Sequence, residues 1–287
     1  MKKAHGNDLA SWVENIIAGY VGSSENTLQN ETNDPAWDAP LVGFSHGDDP
    51  LYFDMKARIG DFYWTPDEIF TITFPDTDAA AEELTVISWI LPQTASTKTD
   101  NRKEPRYPAQ TWVRSRNFGE AFNLKLARHV VEVLAREGYK ALAPAQSPLW
   151  KWQTSDPFGY ASNWSERHAA FVSGLGTFGL CDGLITPKGK AMRCGSVIAH
   201  TRIPATQRPY RNHQAYCLYF SRGTCKKCIL RCPVGALTEA GHDKQRCRDY
   251  LFDVLFQYTE QRFGVASYGC GLCQTGVPCE SEIPDEP

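Results

Sequence analysis

Cysteine is concentrated near the carboxy-terminal end of this chain, at spacings that are typical of metal ligands. The chain has ten cysteines, and all except Cys181 and Cys194 lie within one segment: Cys217, Cys225, Cys228, Cys232, Cys247, Cys270, Cys273 and Cys279. Thiolates at such short spacing hold iron-sulfur clusters, and a cysteine directly before a proline, as in Cys232-Pro233, typically ligates a second cluster. The pattern therefore predicts two 4Fe-4S clusters and a role in electron transfer.

The spacing departs at one point from the C-x2-C-x2-C-x3-C-P run of proteins with two clusters. Arg222 stands where the first cysteine of that run would fall, and arginine cannot ligate iron. Cys217 lies somewhat farther upstream, and the longer loop costs little because the free energy of loop closure grows slowly with length. We therefore predict two ligand sets. The first set is Cys217, Cys225, Cys228 and Cys279, and the second set is Cys232, Cys247, Cys270 and Cys273.

Two alternatives would use the same thiols. Zinc takes four ligands per site and accepts C-x2-C pairs, so these cysteines could hold two zinc ions, although Cys232-Pro233 favours iron. Disulfides are typical of oxidising compartments and small secreted scaffolds, whereas this chain has 287 residues and no apolar signal-peptide segment after Met1. We therefore expect a cytoplasmic protein that is sensitive to oxygen.

The composition is that of an ordinary globular protein, with 42% hydrophobic and 22% charged residues. No window approaches the ~20 consecutive apolar residues that a membrane span needs. The net charge of -3 argues against an extended nucleic-acid surface, which normally requires a basic surplus. We interpret a local group of basic residues as a solvated face: Lys188, Lys190, Arg193, Arg202, Arg208 and Arg211.

Apolar periodicity predicts a set of helices and strands before the cysteine segment. The predicted helices are residues 8–20, a helix that begins at Pro66, residues 116–137 and residues 165–173, and a polar connector covers residues 23–40. The predicted strands are residues 84–91, 140–143, 183–187 and 195–199. Alternating strands and helices indicate an α/β layer architecture. We predict one domain over residues 1–211 and a second, cluster-binding domain over residues 212–287, where a helix over residues 247–262 covers the clusters.

Three closely spaced glycines form the sequence Gly174-Leu175-Gly176-Thr177-Phe178-Gly179. A G-x-G-x-x-G run binds dinucleotides when it follows a strand and opens a helix. Here the run follows a predicted helix, so we reject a Rossmann interpretation. Glycines this close together permit either positive φ angles or close approach of the backbone to a ligand.

Several of these features, in this order, resemble the epoxyqueuosine reductases and, more distantly, the reductive dehalogenases. The matching residues are Glu166-Arg167, Gly174-Leu175-Gly176, Gly195-Ser196, the run from Cys225 to Pro233, Asp243 to Cys247, Tyr250-Leu251, and Tyr268 to Cys273. The resemblance implies a nitroreductase-like α+β domain that binds cobalamin, fused to a ferredoxin-like module with two clusters. Gly174, Leu175, Gly176, Gly195 and Ser196 would then contact the cofactor.

The resemblance also implies a function. The protein would be a reductase in which the clusters pass electrons from a flavodoxin or ferredoxin to a base-off corrinoid, and its substrate would be a small molecule or a nucleoside. In the family an aspartate proton donor precedes the glutamate of the Glu166-Arg167 pair, and Tyr160 stands at that position here. A phenol with a pKa near ~10 is protonated at neutral pH and can donate a proton. The alternative is that Tyr160 is a packed aromatic residue beside Phe158 and Trp164.

Other features favour or compete with this assignment. The chain ends soon after Cys279 without the helical-repeat tail of the longer relatives, so we do not expect a tRNA substrate. One rival is an electron-transfer protein whose α/β domain binds flavin or a partner, and another is a redox-sensing or cobalamin-handling protein.

His168 could face the corrin, but like His200 and His213 it is interpreted as a satisfied structural histidine. Cys181 and Cys194 are interpreted as small buried hydrophobic residues.

Overall fold

A computed structural model describes residues 8–285, and its helices and strands follow a simple order. The first half contains α1 (Leu9–Val21), β1 (Leu41–His46), α2 (Pro50–Ile59), α3 (Pro66–Thr73), β2 (Leu84–Pro92), α4 (Ala95–Lys103), α5 (Gln110–Arg114), α6 (Glu120–Arg136) and β3 (Ala141–Leu142). The second half contains β4 (Trp152–Ser155), β5 (Gly159–Ser162), α7 (Glu166–Val172), β6 (Thr177–Phe178), β7 (Leu184–Ile185), β8 (Met192–His200), α8 (Leu218–Arg222), α9 (Lys227–Leu230), β9 (Leu237–Thr238), β10 (Gly241–His242), α10 (Lys244–Asp249) and α11 (Phe256–Phe263).

The main sheet has four strands in the order β1-β2-β8-β3, and each neighbouring pair is antiparallel. Ser88 of the central strand β2 lies opposite Gly43 on one side and Ser196 on the other. The predicted strands at residues 84–91 and 195–199 are confirmed as β2 and β8, while the strand predicted at residues 140–143 is only Ala141–Leu142 long. The sheet therefore has the antiparallel, α+β form of the predicted mixed architecture.

Helices cover both faces of this sheet. Every residue of β2 is buried, and its side chains alternate between two apolar clusters. Ile87 and Trp89 pack against α1 and α6 on one face, whereas Val86 and Ile90 pack against α2, α3 and α7 on the other. A strand that is covered on both faces has no polar side to show, which explains the continuous apolar run in the sequence.

Most helix predictions are confirmed, with one correction. Residues 8–20 form α1, and α3 begins at Pro66, where the Thr65 amide donates a hydrogen bond to Glu68 at 2.9 Å in a capping box. The helix predicted from Arg116 begins earlier, as α5 at Gln110, and five residues in π form, Ser115–Gly119, join it to α6. The π turn shifts the helical register. The 3.6-residue periodicity of the sequence therefore predicted only the part of the helix that follows α5.

The cysteine segment is built from short helices and one small hairpin. The predicted helix over residues 247–262 is present, but it starts as α10 at Lys244, where Asp243 accepts a hydrogen bond from the Arg246 amide at 2.9 Å. A π segment, Tyr250–Leu255, joins α10 to α11. The apolar core here is small and includes four buried cysteines among its members: Leu180, Cys181, Ile185, Cys217, Cys228, Leu237, Val277 and Cys279.

The predicted division at residues 211 and 212 stays a prediction. The terminal segment returns to the turn before β8, because the amides of Lys190 and Ala191 donate hydrogen bonds to the carbonyls of Cys279 and Glu280 at 2.8 and 3.2 Å. Within residues 8–285, no helix combines the length and apolar character that crossing a membrane requires.

Candidate functional site

The four thiols of the first predicted ligand set line one cavity. Cys217 precedes α8, Cys228 lies in α9, and Cys225 and Cys279 lie in the loops beside these helices. These four cysteines share the wall of the cavity with apolar residues and one lysine: Leu180, Ile185, Lys190, Leu218 and Val277. The structure therefore brings together residues that are far apart in the sequence, including Cys217, which was paired with this set because of the arginine at position 222.

The donor chemistry of this cavity fits a metal cluster. Burial raises the pKa of the Cys228 thiol to about 12 and that of Cys279 to about 11. A thiol in apolar surroundings resists ionisation, and a bound metal reverses this preference because the thiolate is the ligand. In the part of the chain that is described, no group of three or more His, Cys, Asp or Glu residues is arranged to hold a metal ion. The four cysteines instead share the wall of one small cavity, and their role as the ligands of a cluster stays a prediction.

The second predicted set is brought together in part. Burial raises the pKa of the Cys270 thiol to about 12, and the nearby thiols of Cys247 and Cys232 contribute to that rise. The Cys270 thiol contributes to a raised pKa of Cys273, but the largest effect on Cys273 comes from Cys181, which belongs to neither set. The loop that carries Cys270 and Cys273 packs tightly against α5, because a Cβ atom at Gly271 would lie 1.9 Å from the Trp112 ring.

Two residues near the ligand sets differ from their predicted roles. Lys188 is exposed as predicted, but Lys190 is 2% exposed, so it does not belong to a solvated basic face. Cys181 is buried as predicted, yet it accepts a hydrogen bond from Lys190 Nζ at 3.3 Å and is not an inert hydrophobic residue. Cys273, together with Lys190, lowers the pKa of Cys181 well below its ordinary value. The sequence did not predict the contact between these two residues, since neither one falls at a ligand spacing.

The predicted cofactor contacts are packed against the protein itself. Gly174 has a φ of 79°, and a Cβ atom at Gly176 would lie 2.2 Å from the Ile185 carbonyl oxygen. At Gly195 a Cβ atom would lie 2.4 Å from the Trp89 ring. Leu175 is buried in the core beneath the sheet. These positions therefore need small or apolar residues for internal packing, and their role as cofactor contacts stays a prediction.

Ser196, the last predicted cofactor contact, belongs to a buried polar group. Trp164 Nε1 donates to Ser196 Oγ at 3.0 Å, and the Ser196 hydroxyl in turn donates to the Glu166 carboxylate at the start of α7. Burial raises the pKa of Glu166 from 4.5 to about 8. Glu166 therefore keeps its proton at neutral pH and has the chemistry of a general acid.

Arg193 lies near this acid, within a group of charges that also contains Glu120 and Arg116. Arg193 forms an ion pair with Glu120, and Arg116 lies 3.9 Å from the same carboxylate. Burial alone would raise the pKa of Glu120, but the two arginines outweigh it and lower the pKa below its usual value. Arg116 also lies over the Tyr268 ring, with 4.4 Å between its guanidinium carbon and the ring centre. A protonated carboxyl group next to fixed positive charge is an arrangement that can bind and protonate a substrate that becomes negatively charged.

Tyr160 lies on β5 and is 38% exposed. Its ring faces Arg248, with 5.2 Å from the guanidinium carbon to the ring centre. Lys244 fixes this hairpin to α10 by donating hydrogen bonds to the Phe158 and Tyr160 carbonyls at 2.9 and 3.2 Å. Tyr160 is therefore not a packed core aromatic, and its role as a proton donor stays a prediction.

The three histidines occupy different surroundings. His168 lies near Tyr63 and Phe178, and its buried Nδ1 has no hydrogen-bond partner within the described residues. The interpretation as a satisfied histidine is therefore wrong for this residue. Burial lowers the pKa of His168 to about 3, so its ring is neutral. His200 lies 3.6 Å from Glu83, and His213 is an exposed residue whose carbonyl accepts a hydrogen bond from the Phe178 amide at 2.6 Å.

Comparison with known proteins defines the class to which this fold and site are similar. No family model matches the chain. Among curated proteins, the chain is 32% identical over 119 residues to the epoxyqueuosine reductase of Bacillus anthracis, which is 40% of this chain and 29% of that protein. This match confirms the resemblance seen in the sequence motifs. The chain spans about three tenths of the length of the curated relatives that it matches.

Solved structures extend the likeness to most of the chain. An epoxyqueuosine reductase determined with a tRNA stem loop matches 94% of this chain and 66% of its own, with a TM-score of 0.50 and 17% identity. A reductive dehalogenase, whose structure suggests a mechanism for B12-dependent dehalogenation, matches 85% of this chain and 30% of its own, with a TM-score of 0.52 and 14% identity. At these identities the matches establish a shared fold, and this fold includes the first half of the chain.

Proposed function

We propose that this protein is an iron-sulfur oxidoreductase, a reductase related to the epoxyqueuosine reductases and reductive dehalogenases. The observation that carries the proposal is the cavity lined by Cys217, Cys225, Cys228 and Cys279. Four thiols that converge from two helices and two loops form the ligand set of one cluster. The sequence match to epoxyqueuosine reductase and the shared fold support a reductase.

The ligand sets and domains of the proposal are those of the sequence analysis. Cys217, Cys225, Cys228 and Cys279 would hold one 4Fe-4S cluster, and Cys232, Cys247, Cys270 and Cys273 would hold the other. Bound clusters supply one-electron transfer. Beside the second set lies Tyr250, which is 7% exposed. Burial raises its pKa, and Cys270 and Cys232 are close enough for their charges to contribute to that rise, so its ring helps to exclude water there. Solvent exclusion and hydrogen bonds to sulfur are the means by which a protein sets cluster potentials. Residues 212–287 would form the ferredoxin-like module.

The organic cofactor is the part of the proposal that has the least structural support. The residues expected to contact cobalamin instead pack against Ile185 and Trp89 or bind Glu166. We therefore assign no step of the reaction to a corrin. The second candidate function is an electron-transfer protein whose α/β domain binds flavin or a protein partner. The cofactor that copurifies with the chain distinguishes cobalamin, flavin and no organic cofactor.

Glu166 is the proton source that we assign to the reduction. Its carboxyl group holds a proton at neutral pH because of burial, and Arg193 lies close enough to act on that charge. Reduction of an organic substrate adds both electrons and protons. Glu166 would supply the proton, and the nearby Arg193 would stabilise the negative charge that develops on the substrate. Tyr160 is the second candidate donor, on the hairpin that contacts α10.

The substrate in this proposal is a small molecule or a nucleoside, and the electrons come from a flavodoxin or ferredoxin. A structurally similar epoxyqueuosine reductase was determined with a tRNA stem loop, so the expectation that this chain does not act on tRNA stays a prediction. Binding of a labelled anticodon stem loop tests it directly.

The experiment for the proposed function is anaerobic expression in cells supplied with cobalamin, followed by metal analysis, spectroscopy and extraction of organic cofactors. We expect iron and acid-labile sulfide at about eight atoms each per chain, the content of two cubes. Paramagnetic spectra of the reduced protein should show two interacting clusters. Zinc in place of iron would overturn the oxidoreductase assignment, whereas iron with flavin and no corrin would select the second candidate function.

A further inference from the structure

Lys190 is a buried cation that shares the cavity of the first ligand set. It lies on the turn between β7 and β8, is 2% exposed, and lines the cavity together with Cys217, Cys228 and Cys279. Its Nζ donates a hydrogen bond to Cys181 Sγ at 3.3 Å. An ammonium group in an apolar wall is costly unless anions or acceptors compensate it. The surroundings of Lys190 therefore need to supply negative charge.

The electrostatic partners of Lys190 are thiols. Four cysteines act electrostatically on the Lys190 ammonium group. Cys279 and Cys228 belong to the first ligand set, Cys273 belongs to the second, and Cys181 belongs to neither. Thiolates that ligate a cluster would compensate the buried charge of Lys190, whereas neutral thiols would leave this charge uncompensated.

The backbone fixes the lysine relative to these thiols. The Lys190 amide donates to the Cys279 carbonyl at 2.8 Å, and the Ala191 amide donates to the Glu280 carbonyl at 3.2 Å. Gly189, with a φ of 78°, lets the two segments meet, because a Cβ atom there would lie 2.2 Å from the Glu280 carbonyl oxygen. The turn is thus clamped to the segment that carries a predicted ligand, so the ammonium keeps its position.

We propose that Lys190 is a positioning residue that tunes the first cluster by holding a positive charge beside its thiolates, and so raises the reduction potential of that cluster. The inference rests on the proposed function, because it takes the first ligand set as given. Reduction adds one negative charge to the cluster, and a cation held nearby in a medium of low dielectric constant stabilises the reduced state. Net charge and hydrogen bonds to sulfur set cluster potentials.

The experiment compares the potentials of three variants with that of the wild-type protein, all purified without air. Lys190→Met removes the charge and the donor, Lys190→Arg keeps both, and Lys188→Met is the matched control because Lys188 is an exposed lysine on the same turn. Potentiometric titration followed by paramagnetic resonance gives the midpoint of each cluster. In Lys190→Met we expect the ratio of reduced to oxidised protein for one cluster at a fixed potential to fall about tenfold, which corresponds to ~59 mV for one electron.

Lys190→Arg should restore most of that shift, and Lys188→Met should leave both midpoints unchanged. Iron content separates the possible outcomes. Unchanged iron with unchanged midpoints in Lys190→Met overturns the inference and leaves the proposed function intact. If Lys190→Met loses iron, Lys190→Gln, which keeps a donor without the charge, is titrated in its place, and loss of iron there also overturns the inference. Wild-type protein without iron would instead refute the proposed function.

Discussion

The sheet region and the cysteine segment achieve stability in different ways. In the sheet region, every residue of β2 is buried, and helices on both faces contribute large apolar clusters. In the cysteine segment, the core is small, half of its members are cysteines, and side chains such as Leu230 and Phe252 are 79% and 43% exposed. Small units with so little apolar burial generally depend on metals or disulfides. We therefore expect that the first region folds by its own packing and that the second depends on the proposed clusters.

Removal of iron should have the largest effect, and only on one side of this comparison. A chelator under reducing conditions should make residues 212–285 sensitive to protease, because the binding free energy of the clusters is also folding free energy for that segment. The main sheet should survive, because its core contains no ligand cysteine. Limited proteolysis with mass spectrometry measures both regions at once. Equal loss of protection in both regions would show that they are not separable in stability.

Replacement of single ligands should produce the next largest effect. Cys232→Ser should remove the second cluster and Cys217→Ala the first, so each variant should lose roughly half of its iron. Cys194→Ala is the control, because Cys194 is buried in the sheet core away from both sets. Metal analysis of the anaerobic proteins gives the result. Full iron content in Cys217→Ala would show that Cys217 does not replace the cysteine that is missing at Arg222.

Glu166→Gln should change how the stability of the sheet region depends on pH. The pKa of this carboxyl group is raised from 4.5 to about 8 in the folded chain. Its contribution to stability is therefore complete below the unfolded pKa and is lost as the pH rises through the folded pKa, at about 1.4 kcal/mol per pKa unit. The glutamine variant cannot ionise, so it should lose less stability over this range.

Urea unfolding of the iron-loaded protein at a series of pH values measures this difference. Glu14→Gln, a change at an exposed position of α1, is the matched control and should follow the wild-type curve. Parallel curves for Glu166→Gln and the wild type would mean that Glu166 is ionised in the folded protein, and the assignment of a proton to it would fail.

Gly195→Ala should give the smallest of these effects. A Cβ atom at this position would lie 2.4 Å from the Trp89 ring, and overpacking of this kind typically costs 1–3 kcal/mol. The control is Gly19→Ala in α1, where no atom lies within 4 Å of the added Cβ, and this change should stabilise the helix by about 0.5–1 kcal/mol. The free energy of unfolding from urea titrations distinguishes the two. Gly195→Ala without cost would show that the sheet can shift around Trp89.

The two regions also differ in what their sequences could predict. The apolar run of β2 and the helical spacing of α1 were sufficient to locate both elements, because burial on a sheet or on one helix face imposes a period. The four cysteines of the first predicted ligand set line one cavity, and their role as ligands stays a prediction. Antiparallel pairing of β8 with β2 was not predictable, since it depends on contacts between distant segments.

The unpredicted features arise from close contacts between distant segments. Lys190 was assigned to a solvated face because charge usually means exposure, and only the fold shows that thiols surround it. The glycines near residue 175 suggested a ligand, but a glycine that packs against its own chain gives the same sequence signal. The early start of α5 was missed because a π turn interrupts its periodicity.

Iron and sulfide analysis of the anaerobically purified wild-type chain, combined with paramagnetic resonance of the reduced protein, tests the central claim most directly. The account predicts about eight iron and eight sulfide atoms per chain and the spectrum of two clusters. Colourless protein, or protein that carries zinc at these cysteines, would contradict it.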